Sequence, residues 1–189
     1  MPHPTAITNP DSSSNLIILM GVSGSGKSTL AQALAKHYGY DYLDGDDFHS
    51  QEARDQMARG LPLTDEMRLP WVIRMRDYFR EAARNHKHST LAFSGLKRVH
   101  RDELRRAGTK TIFLFLHSDR DTIQNRVNQR AGHFMAPSLV ESQFDSLEDP
   151  SFEADVFEIN VQTSFDQVLD NAIHIIDREL HRQTEALPV

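Results

Sequence analysis

The chain has 189 residues and a formal charge of −6, from 21 Lys plus Arg against 27 Asp plus Glu, which fits one domain and argues against bulk nucleic-acid binding. It contains no cysteine, which excludes disulfides, thiolate metal sites and thiol nucleophiles. The charge is uneven: residues 1–130 carry 19 basic and 15 acidic groups, net +4, whereas residues 131–189 carry 2 and 12, net −10. Arg supplies 16 of the 21 basic residues, a bias that suits bidentate recognition of phosphate or carboxylate. The 10 histidines include no HExxH pair and read as surface or helix-end residues. The longest apolar runs are far short of a membrane span, and the N-terminus lacks the basic and apolar regions of a secretion signal. A soluble, cytoplasmic protein with no nucleic-acid or membrane partner is expected.

In chain order, residues 1–14 read as a loose tail rich in Pro, Ser, Thr and Asn. Leu16–Met20 is a continuous apolar run, as in a strand buried on both faces. Lys27–Tyr38 has the period of a helix, Tyr40–Leu43 that of a second strand, and Gln51–Ala58 that of a short helix stopping at Gly60. Thr64–Asn85 predicts a longer helix with Thr64 as its cap and Pro70 bending or delaying its start. Thr90–Ser94 predicts a strand, Val99–Ala107 a basic helix and Thr111–Leu116 the clearest strand of the chain. Helices follow over 119–130 and 137–147, then a last strand over 156–161 and a closing helix over 164–181. Strands spaced by helices predict parallel βαβ units. The expectation is a three-layer α/β/α domain over 15–182 with a five-stranded parallel sheet, and a C-terminal tail over 183–189.

The first strand and helix flank Gly21-Val-Ser23-Gly24-Ser25-Gly26-Lys27-Ser28-Thr29, which fits G-x-x-x-x-G-K-[ST] in its required strand–loop–helix setting. Backbone N–H groups in such a loop converge on phosphates and the helix N-terminus adds positive potential. Lys27 is placed to reach the β- and γ-phosphates, and the Ser28 hydroxyl to ligate Mg²⁺. ATP with magnesium is therefore the expected cofactor pair. No N-K-x-D occurs for reading guanine, and the strand at 90–93 runs into Ser94-Gly95-Leu96-Lys97 rather than the acidic pair usual in motor and AAA-type ATPases. A small-molecule kinase is the remaining expectation.

The second strand ends in Asp44-Gly45-Asp46-Asp47-Phe48-His49. Carboxyl ends of parallel strands face the ligand crevice, and phosphorylating an alcohol requires a carboxylate to accept its proton. Asp46 is the candidate base, with strand alternation expected to point Asp44 the same way. A solvated acidic turn is the alternative for these aspartates. A cationic clamp for a substrate carboxylate is available in Arg68, Lys97 and Arg101. Trp71 is a candidate for packing a carbon chain or for the core, and His49 for binding a hydroxyl or for a loop at a helix start. Arg126 and Arg130 share a helix face by their i, i+4 spacing. Phe144 and Phe152 are expected in the core.

The loop at 21–29, Asp44-x-Asp46-Asp47-x-His49, Gly60-x-Pro62-Leu63-x-Asp65-x-x-Arg68-x-Pro70-Trp71, Ser94-x-Leu96-Lys97 and Gly132-His133-Phe134 occur in that order. Together they resemble the gluconate kinase family of phosphate-loop sugar-acid kinases, relatives of shikimate kinase. The resemblance implies a nucleoside-monophosphate- and shikimate-kinase-like fold, transfer of the ATP γ-phosphoryl group to the 6-hydroxyl of D-gluconate, and a cytosolic homodimer. It implies a lid around residues 126–147, with Arg130 neutralising the transferring phosphoryl group, Arg126 nearer the adenine or the α/β-phosphates, and Gln162 bordering the adenine. His133 falls to the substrate side. Ser142 and Gln143 match the family's S-Q-F but carry no assignable task. Met67, Gly95 and His100 depart from the family pattern, which opens the alternative of another sugar acid; a catalytically silent nucleotide-binding regulator is the alternative from a different class.

Overall fold

A computed structural model of the chain describes residues 14–129 and 137–182. Five parallel strands, β1 (Asn15–Met20), β2 (Asp41–Asp44), β3 (Ser89–Ala92), β4 (Lys110–His117) and β5 (Val156–Asn160), form one sheet in the order β2-β3-β1-β4-β5. The helices are α1 (Lys27–Tyr38), α2 (Gln51–Ala58), α3 (Asp65–Arg84), α4 (Arg98–Arg105), α5 (Arg120–Gln129), α6 (Pro137–Ser146) and α7 (Phe165–His181). Every expected element is present, with ends shifted by one or two residues. Ser14 is not loose: it is buried, and its carbonyl accepts from the Lys110 N–H at 2.8 Å.

Side chains of β1 alternate between two apolar layers, as its period of 2 requires. Ile17 and Leu19 pack with Leu30 and Leu34 of α1 and Val168, Ala172 and Ile176 of α7. Leu16, Ile18 and Met20 face Val72, Met75 and Phe79 of α3 and Leu104 of α4. Both faces of the strand are thereby covered, which explains why its sequence is apolar throughout. A third cluster, Val22, Leu96, Ile123, Val127 and Val140, lies beyond the carboxyl ends of the strands.

Caps follow the sequence. Ser50, Thr64 and Ser164 side chains accept the N–H of Ala53, Met67 and Gln167, satisfying donors that a helix start leaves open. Helix α3 starts at once after Thr64 and runs through Pro70. Pro70 has no N–H to offer the Glu66 carbonyl, but the helix is held by its buried stripe of Trp71, Val72, Met75 and Phe79. Phe152 differs from expectation, being 97% exposed on the turn before β5, because that turn is anchored by its neighbour Glu153 rather than by an aromatic ring.

The connection from β1 to α1 passes so close to the end of β4 that a Cβ on Gly21 would stand 2.6 Å from the Leu116 carbonyl oxygen. Its φ of +141° adds strain for any other residue. Gly21→Ala is expected to cost roughly 1–3 kcal/mol of stability, measured as a fall in the urea midpoint at unchanged m-value.

Candidate active site

The cleft at the carboxyl ends of β1, β2 and β3 has a volume of about 410 Å³ and brings together Ser23, Gly24, Gly26, Lys27, Ser28, Asp44, Asp46 and His49 with Arg68, Trp71, Lys97 and His100. Residues of the phosphate loop line one end of it. Gly24 fits because it is glycine: its φ is +83°, and a Cβ would meet Val127 at 2.7 Å. Gly21 and Ser25 are buried beneath the loop, and Thr29 is exposed on the first turn of α1, outside the cleft lining. The Lys27 ammonium donates to the Val22 carbonyl at 3.0 Å.

Asp44 closes β2 and organises the turn beyond it. One carboxylate oxygen accepts the Asp46 N–H at 3.0 Å; the other accepts from the Ser28 hydroxyl at 3.3 Å and the Tyr42 hydroxyl at 3.2 Å. Residues Gly45–Phe48 then form a 3-10 turn, so strand alternation does not apply beyond Asp44. Asp46 reaches the cleft by way of this turn.

The turn's carbonyls are all accounted for. The Gly45 carbonyl accepts from Trp71 Nε1 at 2.6 Å, Asp46 from the His49 N–H, Asp47 and His49 from Arg54, and Phe48 from Arg74 Nε at 2.9 Å. Five successive acceptors are thus satisfied, which holds the turn rigid. His49 stacks on Trp71 with ring centroids 4.1 Å apart and 20° between planes. Its Nε2 faces Asp46 Oδ1 at 3.6 Å. This contact, with the nearby Lys27 and Arg54 charges, holds the largely exposed Asp46 carboxyl below the usual carboxylate range. Asp46 is therefore ionised at neutral pH. Trp71 is buried in the α3 layer and also lines the cleft.

At the far end Lys97 Nζ donates to both carboxylate oxygens of Asp65, at 2.8 and 2.7 Å, and Arg68 stands 3.8 Å from the same carboxylate. His100 is buried beside them. Burial, reinforced by the Arg68 and Lys97 cations, lowers its pKa against the pull of Asp65 and Glu148, so the ring is neutral. His49 and His100 stand at helix ends, as expected of the histidines, but are buried there rather than at the surface. Among the three departures from the family pattern only His100 lines the cleft.

Arg101 corrects the expected clamp. It is completely buried and spent on structure, pairing with Glu153 and donating to the carbonyls of Gly95, Leu96 and Glu148. Arg105 bonds the same Glu153 and also Asp155. Spacing alone could not separate Arg101 from Lys97, because both sit at the start of α4. Arg126 does not line the cleft; it donates to the Val161 carbonyl just beyond β5. Gln162 follows directly and hydrogen-bonds Asp119 and Thr122, so Arg126 and Gln162 lie together beyond β5, outside the cleft lining. Arg130 and His133 lie outside the described residues.

One participant is absent from the sequence-based assignment. Gln143 of α6 accepts the Ser23 N–H through Oε1 at 2.6 Å and donates through Nε2 to Ser23 Oγ at 3.0 Å. The signal was its place in S-Q-F, which gives no hint of a partner 120 positions away.

For magnesium, the Ser28 hydroxyl and Asp44 carboxylate offer oxygen donors 3.3 Å apart. Among the described residues no group of three or more His, Cys, Asp or Glu side chains is arranged around a common point. Such a sparse oxygen set fits Mg²⁺, which is commonly held by one or two protein oxygens together with substrate phosphates. No helix among the described residues is long and apolar enough to cross a membrane.

The family described as the AAA domain matches residues 16–150. That narrows the exclusion of AAA-type ATPases to a single feature: β3 still runs into Phe93–Lys97 without an acidic pair. The chain is 41% identical over 145 residues to the thermosensitive gluconokinase of Escherichia coli strain K12, covering 76% of this chain and 78% of that protein. It is 37% identical over 170 residues to a probable gluconokinase of Mus musculus, covering 81% and 92%. The crystal structure of a gluconokinase from Sinorhizobium meliloti 1021 superposes with a TM-score of 0.80 at 34% identity, covering 89% and 97% of the two chains.

Arg101→Ala is expected to cost about 3–5 kcal/mol, because it removes one of the two arginines paired with buried Glu153 and leaves the Gly95, Leu96 and Glu148 carbonyls without that donor, whereas Lys97→Ala, which opens a partly exposed pair, leaves the unfolding midpoint near that of the parent. Calorimetry on the two variants checks the contrast. For Glu153, burial raises the pKa but the hydrogen bonds from Arg101 and Arg105 outweigh it, so the folded value is lowered. Its stabilisation is present above the ordinary carboxylate range and is lost as pH falls through the lowered folded value. Urea midpoints measured across the acid range are expected to drop there, and Glu153→Gln to flatten that part of the drop.

Proposed function

The chain belongs to the gluconokinase family, and from that premise we propose that it transfers the γ-phosphoryl group of ATP to the 6-hydroxyl of D-gluconate, giving 6-phospho-D-gluconate and ADP. The observation that carries the reading is the placement of Asp46. This carboxylate is ionised, lies in one cleft with Lys27 and Ser28, and faces the Lys97 and Arg68 cations from across it.

In this reading the sugar acid's carboxylate is drawn to Arg68 and Lys97, which Asp65 holds ready. Trp71 supports the carbon chain, and His49 offers a polar edge to its hydroxyls. Asp46 orients the 6-hydroxyl and accepts its proton as the oxygen bonds to the γ-phosphorus and the bond to the β-phosphate oxygen breaks. Lys27 offsets the negative charge on the phosphates, and loop N–H groups hold them. The Ser28 hydroxyl would hold Mg²⁺, with Asp44 assisting through a bound water, and the ion would supply neutralisation of phosphate charge. Arg126 and Gln162 border the adenine, Arg130 neutralises the moving phosphoryl group, and His133 adds to the substrate side. A cytoplasmic homodimer with a lid around 126–147 completes the reading.

A different sugar acid is the second reading, favoured by His100, which lines the substrate end. A panel of aldonic acids with coupled ADP detection is expected to rank gluconate first, and gluconate at the bottom would overturn the assignment. ATP binding without turnover on any acid would instead indicate a regulator. Asp46→Asn is expected to lower kcat by about 10²–10⁴ with a smaller change in KM; an unchanged kcat removes Asp46 as base.

A further inference from the structure

Ser23 is the third residue of the phosphate loop, and its backbone N–H is spent outside that loop. Its N–H goes to Gln143 Oε1 at 2.6 Å, and its Oγ accepts from Gln143 Nε2 at 3.0 Å. A planar amide that both accepts from and donates to a single residue fixes that residue in direction as well as distance. By contrast, the Gly24 and Gly26 N–H groups meet no backbone acceptor among the described residues, while the Ser25 N–H goes to the Val22 carbonyl at 3.3 Å, so the two glycine donors are left for phosphate. The opposite side of the loop is fixed by contact, since Gly24 lies against Val127 of α5 with no room for a side chain. Val140, one turn before Gln143 on α6, is buried with Val22 of the loop and with Val127. The loop is thus packed against α5 and bonded to α6.

We propose that Gln143 is a positioning residue for nucleotide binding, setting the direction of the phosphate loop through Ser23. The proposal rests on the reading of the cleft as a kinase site, but it concerns the nucleotide alone. The Ser23–Gln143 bonds are maintained with nucleotide bound, and their loss leaves the remaining donors mispointed. The effect falls on affinity for ATP and ADP rather than on the sugar acid, whose candidate partners Arg68 and Lys97 are held by Asp65 and not by Ser23 or Gln143.

Calorimetric titration of ADP into the full chain, without sugar acid, separates this from the choice of substrate. Gln143→Ala is expected to weaken ADP about tenfold, a loss of roughly 1.4 kcal/mol, and Ser23→Ala, which removes only the Oγ contact, by about threefold. The double variant is expected to match Gln143→Ala, since the two residues act through one contact. In steady-state assays the KM for ATP rises while the KM for the sugar acid stays put. Unchanged ADP affinity in Gln143→Ala overturns the proposal, as does tighter binding, which would make the amide a competitor of phosphate. Equal rises in both KM values or strictly additive effects overturn it too. Should Gln143→Ala fail to fold, Ser23→Ala decides the matter alone: parental ADP affinity refutes the proposal, and a weakening confined to nucleotide supports it. ADP binding that behaves as expected with no turnover of gluconate would refute the substrate assignment and leave the role of Gln143 standing.

Discussion

Val22, Leu96, Ile123, Val127 and Val140 come from four separate segments, and their mutual burial gives the cleft its floor. The sheet by itself ends in a row of diverging loops. Withdrawing these branched side chains from water ties the phosphate loop, the β3–α4 loop, α5 and α6 into one body, with each fully buried Val or Leu contributing about 1.5–3 kcal/mol. Polar groups above this floor then need only short-range bonds to be held in place. Asp44 bridges the 3-10 turn to Ser28, and Gln143 ties α6 to Ser23.

On the other side of the cleft the same task is done by charge. The Arg101–Glu153–Arg105–Asp155 group joins α4 to the turn before β5, while the Glu148 carboxylate accepts the Arg98 N–H and the Glu148 N–H donates to Leu96. Lys97 stands directly between these anchors. The abundance of arginine is thus divided: Arg68 faces the cleft, Arg54 and Arg74 satisfy carbonyls of the 3-10 turn, and Arg101 and Arg105 fasten loops. A fork of donors with a permanent charge suits all three tasks.

Nearly all of the fold was legible because its signals are local. The apolar run of β1, the capping Ser50 and Thr64 and the glycines of the phosphate loop each dictate their own conformation. Half of the site was legible for the same reason, since Lys27, Ser28, Asp44 and Asp46 sit at strand ends that face a crevice. The illegible remainder depends on distant partners. Nothing near Arg101 says that Glu153 will bury beside it, nothing near Gln143 says that Ser23 will be its partner, and Phe152 looks like core until its turn is found to be held by salt bridges. The 3-10 turn was missed because its stability is supplied by Trp71, Arg54 and Arg74 rather than by its own sequence.

The sheet's two outer strands carry a further consequence. β2 has four residues, beginning and ending in aspartate, and β5 has five, with an outward Glu158. Short edges studded with like charges are poor templates for a neighbouring strand, so docking β2 or β5 of one copy on the same strand of another meets repulsion before it forms a ladder. Self-association by sheet extension, the route that leads to aggregation, is thereby discouraged.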